Sequence, residues 1–377
     1  MQSLNIGVIG YGYWGPNIVR NFHNAANSVV VSVCDLNPAS LDRVRRSFPS
    51  ISVTTDASDI LTNPKIDAVA IVTPVSHHFS LAKKALENGK HVFVEKPFTR
   101  NAAEAEELIE LANRKNLLIM VDHTFLFSSS VRKIRDLIDS DVLGTLYYYD
   151  STRVNLGMFQ HDTNVVWDLA PHDLSIMDYL IDCEPEAVVA TGENHVNGAE
   201  NIAFITVYFS NRVIAHLNVN WLSPVKVRRT LIGAEKKMLV WNDLEVDEKI
   251  RVYDKGVNCS TEISEQDRRV SYRTGDLWVP RLDPVEALAS ETQYFIDCVM
   301  NSRAPINDGV SGLRVVQMLE AIDRSMSTRG SMVYCKPVAR RVKFAPNKLD
   351  TLATTIVAPE VVAGASFPSL YSPGMPT

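Results

Sequence analysis

Short, continuous apolar runs alternate with helix signals over the first third of the chain. Runs of this length that are bounded by turn residues are typical of strands buried on both faces. They predict six strands, at residues 4–9, 29–34, 51–54, 67–72, 91–94 and 117–121. Helix starts are indicated by Asn37-Pro38 and by Asn101-Ala-Ala-Glu104, which resembles a capping box. Strands joined by helical crossovers predict a doubly wound parallel sheet.

The pattern changes after residue 123, where alternating segments follow one another. These segments predict strands at residues 145–155, 187–194, 202–209, 213–221, 227–232, 237–241 and 249–253. Helices are predicted at residues 130–138 and 168–181, and near 285–300 and 309–327. Strands in series without long helices between them indicate an antiparallel sheet.

The two patterns together predict an α/β protein with three parts. Residues 1–123 form a Rossmann dinucleotide-binding domain, and residues 124–337 form an α/β domain for substrate binding and oligomerisation. Residues 338–377 are weakly periodic and contain Pro and Ser, so we expect a tail or arm without a core of its own.

Composition narrows the class of protein. Lys and Arg number 38 against 44 Asp and Glu, a formal net charge of −6, which disfavours a nucleic-acid-binding protein. No apolar run reaches 18 residues and the N-terminus lacks a signal-peptide pattern, so we expect no membrane association. Cysteines stand at 34, 183, 259, 298 and 335 without a CxxC spacing. That usage is typical of reduced thiols, so we expect a soluble, cytoplasmic protein without a structural metal.

The strongest local motif is Gly10-Tyr11-Gly12-Tyr13-Trp14-Gly15, which follows the first predicted strand and opens a helix. In a dinucleotide-binding loop the first glycine permits the tight turn. The second lets the backbone approach a pyrophosphate, and the third allows close packing of helix on strand. The helix N-terminus then binds the phosphates.

Asp35 ends the second predicted strand, twenty residues after the last glycine. An acid there accepts hydrogen bonds from a ribose diol and repels a 2′-phosphate, so we expect NAD as the cofactor. Arg43, Arg45 and Arg46 follow closely, and a cation near the ribose serves NADP. NADP therefore stays open at this point, although a solvated helix face is the simpler interpretation of these arginines.

Two further clusters carry candidate acid–base groups. Glu95, Lys96 and Pro97 lie at the carboxyl end of a predicted parallel strand, where open α/β sheets bind ligands, so Lys96 is a candidate for proton transfer. Asp168 and His172 are four residues apart and share a helix face. We expect Asp168 to orient His172 and to raise its pKa. One histidine and two acids are too few to predict a metal site.

These motifs together resemble the Gfo/Idh/MocA oxidoreductase family. The resemblance covers residues 4–336 and rests on GVIGYGYWG, TPVSHH, ALENGKHVFVEKP, DLAPHD and DGVSGLRVVQMLEAIDRSMSTRG. It implies a Rossmann domain followed by a domain with a large, mostly antiparallel sheet, whose open face commonly forms the oligomer interface. It also implies hydride transfer between a nicotinamide and a sugar or polyol carbon.

The resemblance assigns roles to particular residues. The family's EKP lysine falls on Lys96, as a catalytic or hydroxyl-binding group, and its D-x-x-x-H pair falls on Asp168 and His172, with the histidine as acid or base. Its cofactor loop falls on Thr73, Pro74 and His78, where Val75 replaces the usual Asn. The Lys96-Pro97 bond is expected to be cis, as is frequent in the family. Weaker candidates for the substrate pocket are Phe127, Arg153 and Asn155.

The expected function is NAD-dependent hydride transfer at a secondary alcohol or ketone of a sugar, in a homodimer or homotetramer. GYWGPN and WDLAPHD are similar to the branch that acts on nucleotide sugars, which includes UDP-N-acetylglucosamine 3-dehydrogenases and deoxysugar ketoreductases. A free sugar or polyol dehydrogenase is the nearest alternative. An NAD-assisted glycosidase and a non-catalytic NAD-sensing regulator are further alternatives, since fold alone does not fix function.

Overall fold

The computed structural model describes residues 3–157, 159, 163–196, 198–259 and 270–338. All but the first residue of the predicted tail therefore lies outside the described residues. Among the residues that are described, no helix has the length and apolar character needed to span a membrane.

The N-terminal sheet has six strands, all parallel to their neighbours. They are β1 (Leu4–Ile9), β2 (Ser28–Cys34), β3 (Ser52–Thr54), β4 (Ala68–Ile71), β5 (His91–Glu95) and β6 (Ile119–Asp122), in the spatial order β3-β2-β1-β4-β5-β6. This confirms the predicted doubly wound sheet. Every residue of β4 is buried, as expected for a central strand covered on both faces.

Helices connect these strands. They are α1 (Gly15–Asn24), α2 (Pro38–Ser47), α3 (Ser58–Leu61), α4 (His78–Glu87) and α5 (Ala102–Lys115). The predicted helix starts are confirmed, because Asn37 caps α2 by accepting from the Ala39 N–H, and Asn101 caps α5 by accepting from the Glu104 N–H. All carboxyl ends of the strands consequently meet at one edge of the sheet, where the motifs lie.

The second sheet has nine strands. They are β7 (Leu146–Leu156), β8 (Pro185–Glu193), β9 (Ile202–Phe209), β10 (Ile214–Asn220), β11 (Leu222–Ala234), β12 (Met238–Asn242), β13 (Ile250–Cys259), β14 (Val270–Trp278) and β15 (Val333–Tyr334). Their spatial order is β14-β13-β12-β11-β7-β10-β9-β8-β15. Strands β7 and β10 run parallel and the other neighbouring pairs run antiparallel, which confirms a mostly antiparallel sheet.

The helices of this part of the chain are α6 (Ser129–Asp139), α7 (Val165–Leu180), α8 (Ala287–Met300) and α9 (Gly309–Ser327). Helices α7 and α9 pack on one face of the second sheet, whereas α8 packs on α1. Helix α7 begins three residues before the predicted start, because the Asn164 side chain accepts from the Val166 and Trp167 N–H groups, both at 3.1 Å. Asp168 therefore lies inside the first turns of α7. Helix α9 packs on β6 through Gly312, where a Cβ atom would lie 2.7 Å from the Val121 side chain.

The other face of the second sheet carries exposed apolar side chains. Tyr148, Ile214 and Tyr208 are direct neighbours across β7, β10 and β9, and Phe204 lies farther along β9. Ile214 is 41% exposed and Phe204 47% exposed. Because side chains alternate along a strand, Tyr149 is buried under the helices while Tyr148 is on the opposite face. Tyr147 is 50% exposed, so among the three consecutive tyrosines at 147–149 Tyr149 is the core residue.

Candidate active site

The glycine-rich loop between β1 and α1 tolerates no side chain at two of its three glycines. Gly10 has a φ of +104°, and a Cβ atom there would lie 2.2 Å from the Val72 carbonyl oxygen. A Cβ atom on Gly15 would lie 2.6 Å from the Gly10 carbonyl oxygen. At Gly12, by contrast, the Cβ position opens onto free space. The loop thus leaves room for a ligand to approach its backbone at Gly12.

The residues around this loop fit NAD. The N-terminus of α1 has no side-chain cap, and since Pro16 has no N–H group and the Asn17 N–H donates to the Trp14 carbonyl oxygen, the Gly15 N–H is the donor of this first turn that is left for a phosphate oxygen. Asp35 accepts from the Tyr11 N–H at 2.6 Å and from the Asn37 N–H at 2.8 Å, and each carboxylate oxygen keeps a lone pair for a ribose diol. Tyr11 is buried and Tyr13 is 89% exposed, so these two neighbours face the loop differently.

Arg43 stabilises the loop and belongs to its framework. Its guanidinium donates to the Tyr11 carbonyl oxygen at 3.0 Å and to Ser40 Oγ at 3.1 Å, and it lies 5.5 Å from the centre of the Tyr11 ring. Arg45 pairs with Asp42 on the exposed face of α2, at 2.7 Å. These contacts account for both arginines without a 2′-phosphate, since Arg43 holds the backbone of the loop and Arg45 lies on the solvated face of α2.

The loop after β4 does not present His78 to a cofactor. His78 is 1% exposed, and its two ring nitrogens lie 2.9 Å from the Pro97 carbonyl oxygen and 2.8 Å from the Thr73 carbonyl oxygen. Burial lowers its pKa, so the neutral ring donates to one of these oxygens. The expectation that His78 binds cofactor is therefore wrong. It ties the Thr73-Pro74 loop to the turn after β5.

Lys96 leaves β5 at the sheet edge and points to α7. The Lys96-Pro97 bond is cis, as expected from the resemblance. Lys96 Nζ donates to the Asp168 carbonyl oxygen at 2.8 Å and lies 3.5 Å from Asp168 Oδ1. Asp168 Oδ2 accepts from Trp221 Nε1 at 3.2 Å. Asp168 therefore holds Lys96 and Trp221, and the expectation that it orients His172 is wrong.

His172 lies one helical turn farther along α7, with its ring edge-on to Phe125 at 5.0 Å. Its Nδ1 atom is buried and has no hydrogen-bond partner among the described residues. Burial lowers the pKa of His172 well below its usual value, and the positive charges of Lys96 and Arg153 lower it further. The expectation of a raised pKa is thus wrong, because burial and, after it, the neighbouring cations disfavour the protonated ring. His172 is neutral at pH 7.

A buried group of three carboxyls lies behind Lys96. Glu95 Oε2 accepts from the Lys96 N–H at 2.9 Å, and Glu95 faces Asp122 across β5 and β6. Glu291 on α8 accepts from Asn307 Nδ2 at 2.9 Å. Burial and the neighbouring Asp122 raise the pKa of both glutamates. Glu95 is thus a member of a group that shares protons, rather than a freely ionised side chain at the cofactor edge.

The weaker pocket candidates lie in different surroundings. Phe127 is buried against Tyr294, with ring centres 5.3 Å apart, so it is a core residue and does not line the cluster. Phe125, from the same short turn, takes the place beside His172. Arg153 is buried near this ring, with its guanidinium carbon 4.7 Å from the ring centre. Asn155 follows on the same face of β7, close to Trp221.

Comparison with known proteins identifies the family. Residues 4–123 match an oxidoreductase family with an NAD-binding Rossmann fold, and residues 131–240 match the GFO/IDH/MocA C-terminal domain. The chain is 28% identical over 325 residues to UDP-N-acetylglucosamine 3-dehydrogenase of Acidithiobacillus ferrooxidans, covering 84% of this chain and 95% of that protein. It is 27% identical over 316 residues to scyllo-inositol 2-dehydrogenase (NAD(+)) of Bacillus subtilis, covering 80% and 86%.

Solved structures agree on the fold. The UDP-N-acetylglucosamine 3-dehydrogenase GnnA from Acidithiobacillus ferrooxidans superposes with a TM-score of 0.73 at 26% identity, covering 87% of this chain and 99% of that one. Levoglucosan dehydrogenase in complex with NADH and L-sorbose gives a TM-score of 0.74 at 19% identity, covering 89% and 100%. The chain therefore belongs to the Gfo/Idh/MocA family and is an oxidoreductase with an NAD-binding Rossmann domain.

Proposed function

We propose that the protein transfers hydride between NAD and a secondary alcohol of a sugar, and that the sugar is part of a nucleotide sugar. The observation that supports this proposal is the bond from Lys96, at the carboxyl end of β5, to Asp168 on α7, one helical turn before His172. Ligands bind at this edge of an open α/β sheet. The similarity to UDP-N-acetylglucosamine 3-dehydrogenase over most of both chains supports the substrate class.

In this proposal NAD, when bound, supplies the acceptor for the hydride, and the chain manages the proton. His172 accepts the hydroxyl proton, since its lowered pKa keeps the ring neutral and able to act as a base at pH 7. Lys96 donates a hydrogen bond to the same oxygen and stabilises its developing negative charge. Asp168 acts as a positioning residue, because it holds the Lys96 ammonium and the Trp221 indole. Exchange of roles between Lys96 and His172 is the alternative assignment.

The cofactor side of the proposal rests on the loop after β1. Gly10, Gly12 and Gly15 shape the backbone, the uncapped start of α1 meets the phosphates, and Asp35 meets the adenosine ribose. Trp14, Thr73 and Pro74 stay proposed as neighbours of the cofactor. NAD is expected to be used in preference to NADP because an anion at position 35 opposes a 2′-phosphate.

A panel of sugars tests this function directly. UDP-N-acetylglucosamine, other nucleotide sugars, free hexoses and inositols are incubated with NAD⁺ or with NADP⁺, and reduction is followed by absorbance. We expect reduction of NAD⁺ by nucleotide sugars. Turnover of inositols or free sugars alone would replace the substrate class, as the likeness to scyllo-inositol 2-dehydrogenase allows. Absence of reduction with every member would overturn the proposal.

We also propose that the protein is a homodimer or homotetramer that pairs through the open face of the second sheet. In the row formed by Tyr148, Ile214 and Tyr208 the two tyrosines are partly exposed and Ile214 is exposed in the single chain, and the exposed Phe204 lies farther along β9. Apolar patches of this kind on a sheet face mark association sites more often than free surface.

A further inference from the structure

Two arginines stand directly opposite each other in the second sheet. Arg153 on β7 and Arg228 on β11 are register partners on neighbouring antiparallel strands. Like charges in this arrangement repel and destabilise a sheet, because directly opposed side chains on neighbouring strands lie close to each other. The pair lies on the face that the helices cover, beside α7, where Arg153 is buried and Arg228 is partly buried, so solvent screens the repulsion less than between two exposed side chains.

The two guanidinium groups have unequal partners. Arg153 is 5% exposed and forms a two-point ion pair with Asp173, with N···O distances of 2.6 and 3.2 Å. Its Nη1 atom is buried and has no hydrogen-bond partner among the described residues. In the described part of the chain Arg228 forms an ion pair with Asp243 alone, at 3.6 Å, and Lys249 lies at the same distance from that carboxylate. Arg228 is therefore the less compensated cation, and its side chain is 35% exposed.

The Arg228 guanidinium carbon lies 5.8 Å from the centre of the Phe125 ring. The same ring contacts the Arg153 guanidinium and the His172 ring. One aromatic ring thus joins the arginine pair to the proposed base. Burial and the charge of Arg153 lower the pKa of Arg228, so this position disfavours a second positive charge in the absence of an anion. A negatively charged ligand group would relieve that repulsion.

We infer that Arg228, supported by Arg153 behind it, binds an anionic group carried by the sugar substrate, close to the carbon that is oxidised. This inference rests on the proposed function and narrows its substrate class to sugars that carry a phosphate or a carboxylate. A guanidinium fork matches both groups through two parallel hydrogen bonds. The chain's net charge of −6 gives no general attraction for an anion, so local cations must supply it.

The test compares sugars with and without an anionic group. N-acetylglucosamine is paired with N-acetylglucosamine 1-phosphate and UDP-N-acetylglucosamine for the phosphate arm, and glucose is paired with glucuronate for the carboxylate arm. Each is assayed with wild-type protein, Arg228→Gln, Arg228→Lys and the matched control Arg229→Gln. Arg229 is the next residue of β11, is exposed, and is on the opposite face. Calorimetric titration of the NADH-bound proteins with the same sugars gives a readout that needs no turnover.

We expect the charged member of one arm to be preferred by wild type, and Arg228→Gln to raise its KM by about 10- to 100-fold with little change in kcat. Arg228→Lys should recover part of this loss, whereas Arg229→Gln and the neutral sugars should be unaffected. The pair of sugars whose charged member shows the raised KM in Arg228→Gln identifies the anionic group as a phosphate or a carboxylate. Arg228→Gln should also keep its melting temperature, since it removes a like-charge contact.

Two results separate this inference from the function it rests on. Equal KM changes for neutral and charged sugars in Arg228→Gln, with NAD⁺ still reduced, would overturn the anion site and leave the sugar dehydrogenase intact. If no sugar reduces NAD⁺, the proposed function fails, and calorimetry decides the anion site by itself. Binding of a charged sugar that Arg228→Gln abolishes would support it, and absence of binding in wild type would overturn it.

Discussion

His172 shows how its surroundings set the protonation state of a base. Its ring is partly buried next to Phe125, with the Nδ1 atom buried, and this burial opposes a proton on the ring. The charges of Lys96 and Arg153 oppose it further. Asp168 is on the same helix face by sequence spacing, but its carboxylate oxygens accept hydrogen bonds from Lys96 and Trp221 and not from His172. A histidine in this environment is well suited to accept a proton from an alcohol at neutral pH.

This protonation state predicts the acid limb of the pH profile. The pKa of His172 is below its ordinary value of 6.5, so the neutral base persists as pH falls from 8 to 6.5. We expect kcat/KM for alcohol oxidation to show no loss of base function at pH 6.5 and to fall only at lower pH. The profile is measured with NAD⁺ saturating and the best substrate of the panel. An acid limb with its midpoint at or above pH 6.5 would contradict the assignment.

The elements that carry the site belong to different parts of the chain, and packing between them places carboxyls together. Strand β5 ends at Glu95, β6 ends at Asp122, and α8 brings Glu291 to both. Asp122 Oδ2 and Glu291 Oε2 have no N–H or O–H donor in the described part of the chain, so a proton held by the group satisfies them. The group lies directly under the Lys96 backbone.

Replacing Glu291 by Gln tests this shared proton through stability. The pKa of Glu291 is raised in the folded state, so its contribution to folding is full below about pH 4.5 and is lost as pH rises through the folded pKa. Gln keeps the acceptor for Asn307 and does not titrate. We expect the free energy of unfolding of Glu291→Gln, relative to wild type, to improve from pH 5 upward. The slope is about 1.4 kcal/mol per pH unit below the folded pKa.

Urea unfolding at pH 5, 6, 7 and 8 measures this difference, with Glu286→Gln as the control. Hydrogen bonds from Arg20 and Asn21 lower the pKa of Glu286, so its contribution is fully present above pH 4.5 and is lost only as pH falls. The control should therefore differ from wild type by a constant amount across this range. A constant difference for Glu291→Gln as well would show that no proton is held there.

Much of the architecture follows from local sequence signals, because apolar runs and cap residues act over a few positions. The six parallel strands and the starts of α2 and α5 are of this kind. Strand β15 has two residues, too few for a periodic signal, and α7 begins early because its cap is Asn164. Strand β14 also lacks a sequence signal, because its side chains from 271 to 278 are exposed apart from the partly buried Arg273 and show no alternation of buried and exposed positions.

The candidate site is less accessible to sequence reasoning, because its contacts join distant segments. His78 was expected at the cofactor, but packing buries it between two backbone carbonyls. The sequence points to Phe127, but Phe125 is the ring beside His172, since two positions along a short turn are enough to send the two rings to different surroundings. Arg228 was missed because only the pairing of β7 with β11 places it opposite Arg153. Register between strands carries that information.

For the whole molecule, the second sheet buries one face and leaves the other bare. Helices α7 and α9 pack on the buried face, while Ile214 lies at the centre of an exposed row between Tyr148 and Tyr208. We propose this row as the centre of the subunit interface, which the open sheet of the family resemblance also suggests. A hydrophobic interface on a pleated face tolerates no unpaired charge at its centre.

Ile214→Lys tests this interface. The lysine would be buried without a partner in the oligomer but exposed in a single subunit, so we expect dissociation with the fold retained. Light scattering coupled to size-exclusion chromatography gives the mass, and circular dichroism checks the fold. Leu36→Lys, at a position that is 85% exposed after β2, is the control and should keep the wild-type mass. A monomeric wild type, or an unchanged mass for Ile214→Lys, would contradict the proposal.

The central claim is that His172 moves the proton of a sugar hydroxyl at a site built beside bound NAD. The most direct measurement is turnover of the best sugar of the panel by His172→Asn, with the affinity for NADH measured in parallel. General acid–base catalysis contributes about 10²- to 10⁴-fold, so we expect kcat to fall by that factor while the Kd for NADH stays within about twofold. Turnover of His172→Asn at the wild-type rate would contradict the account.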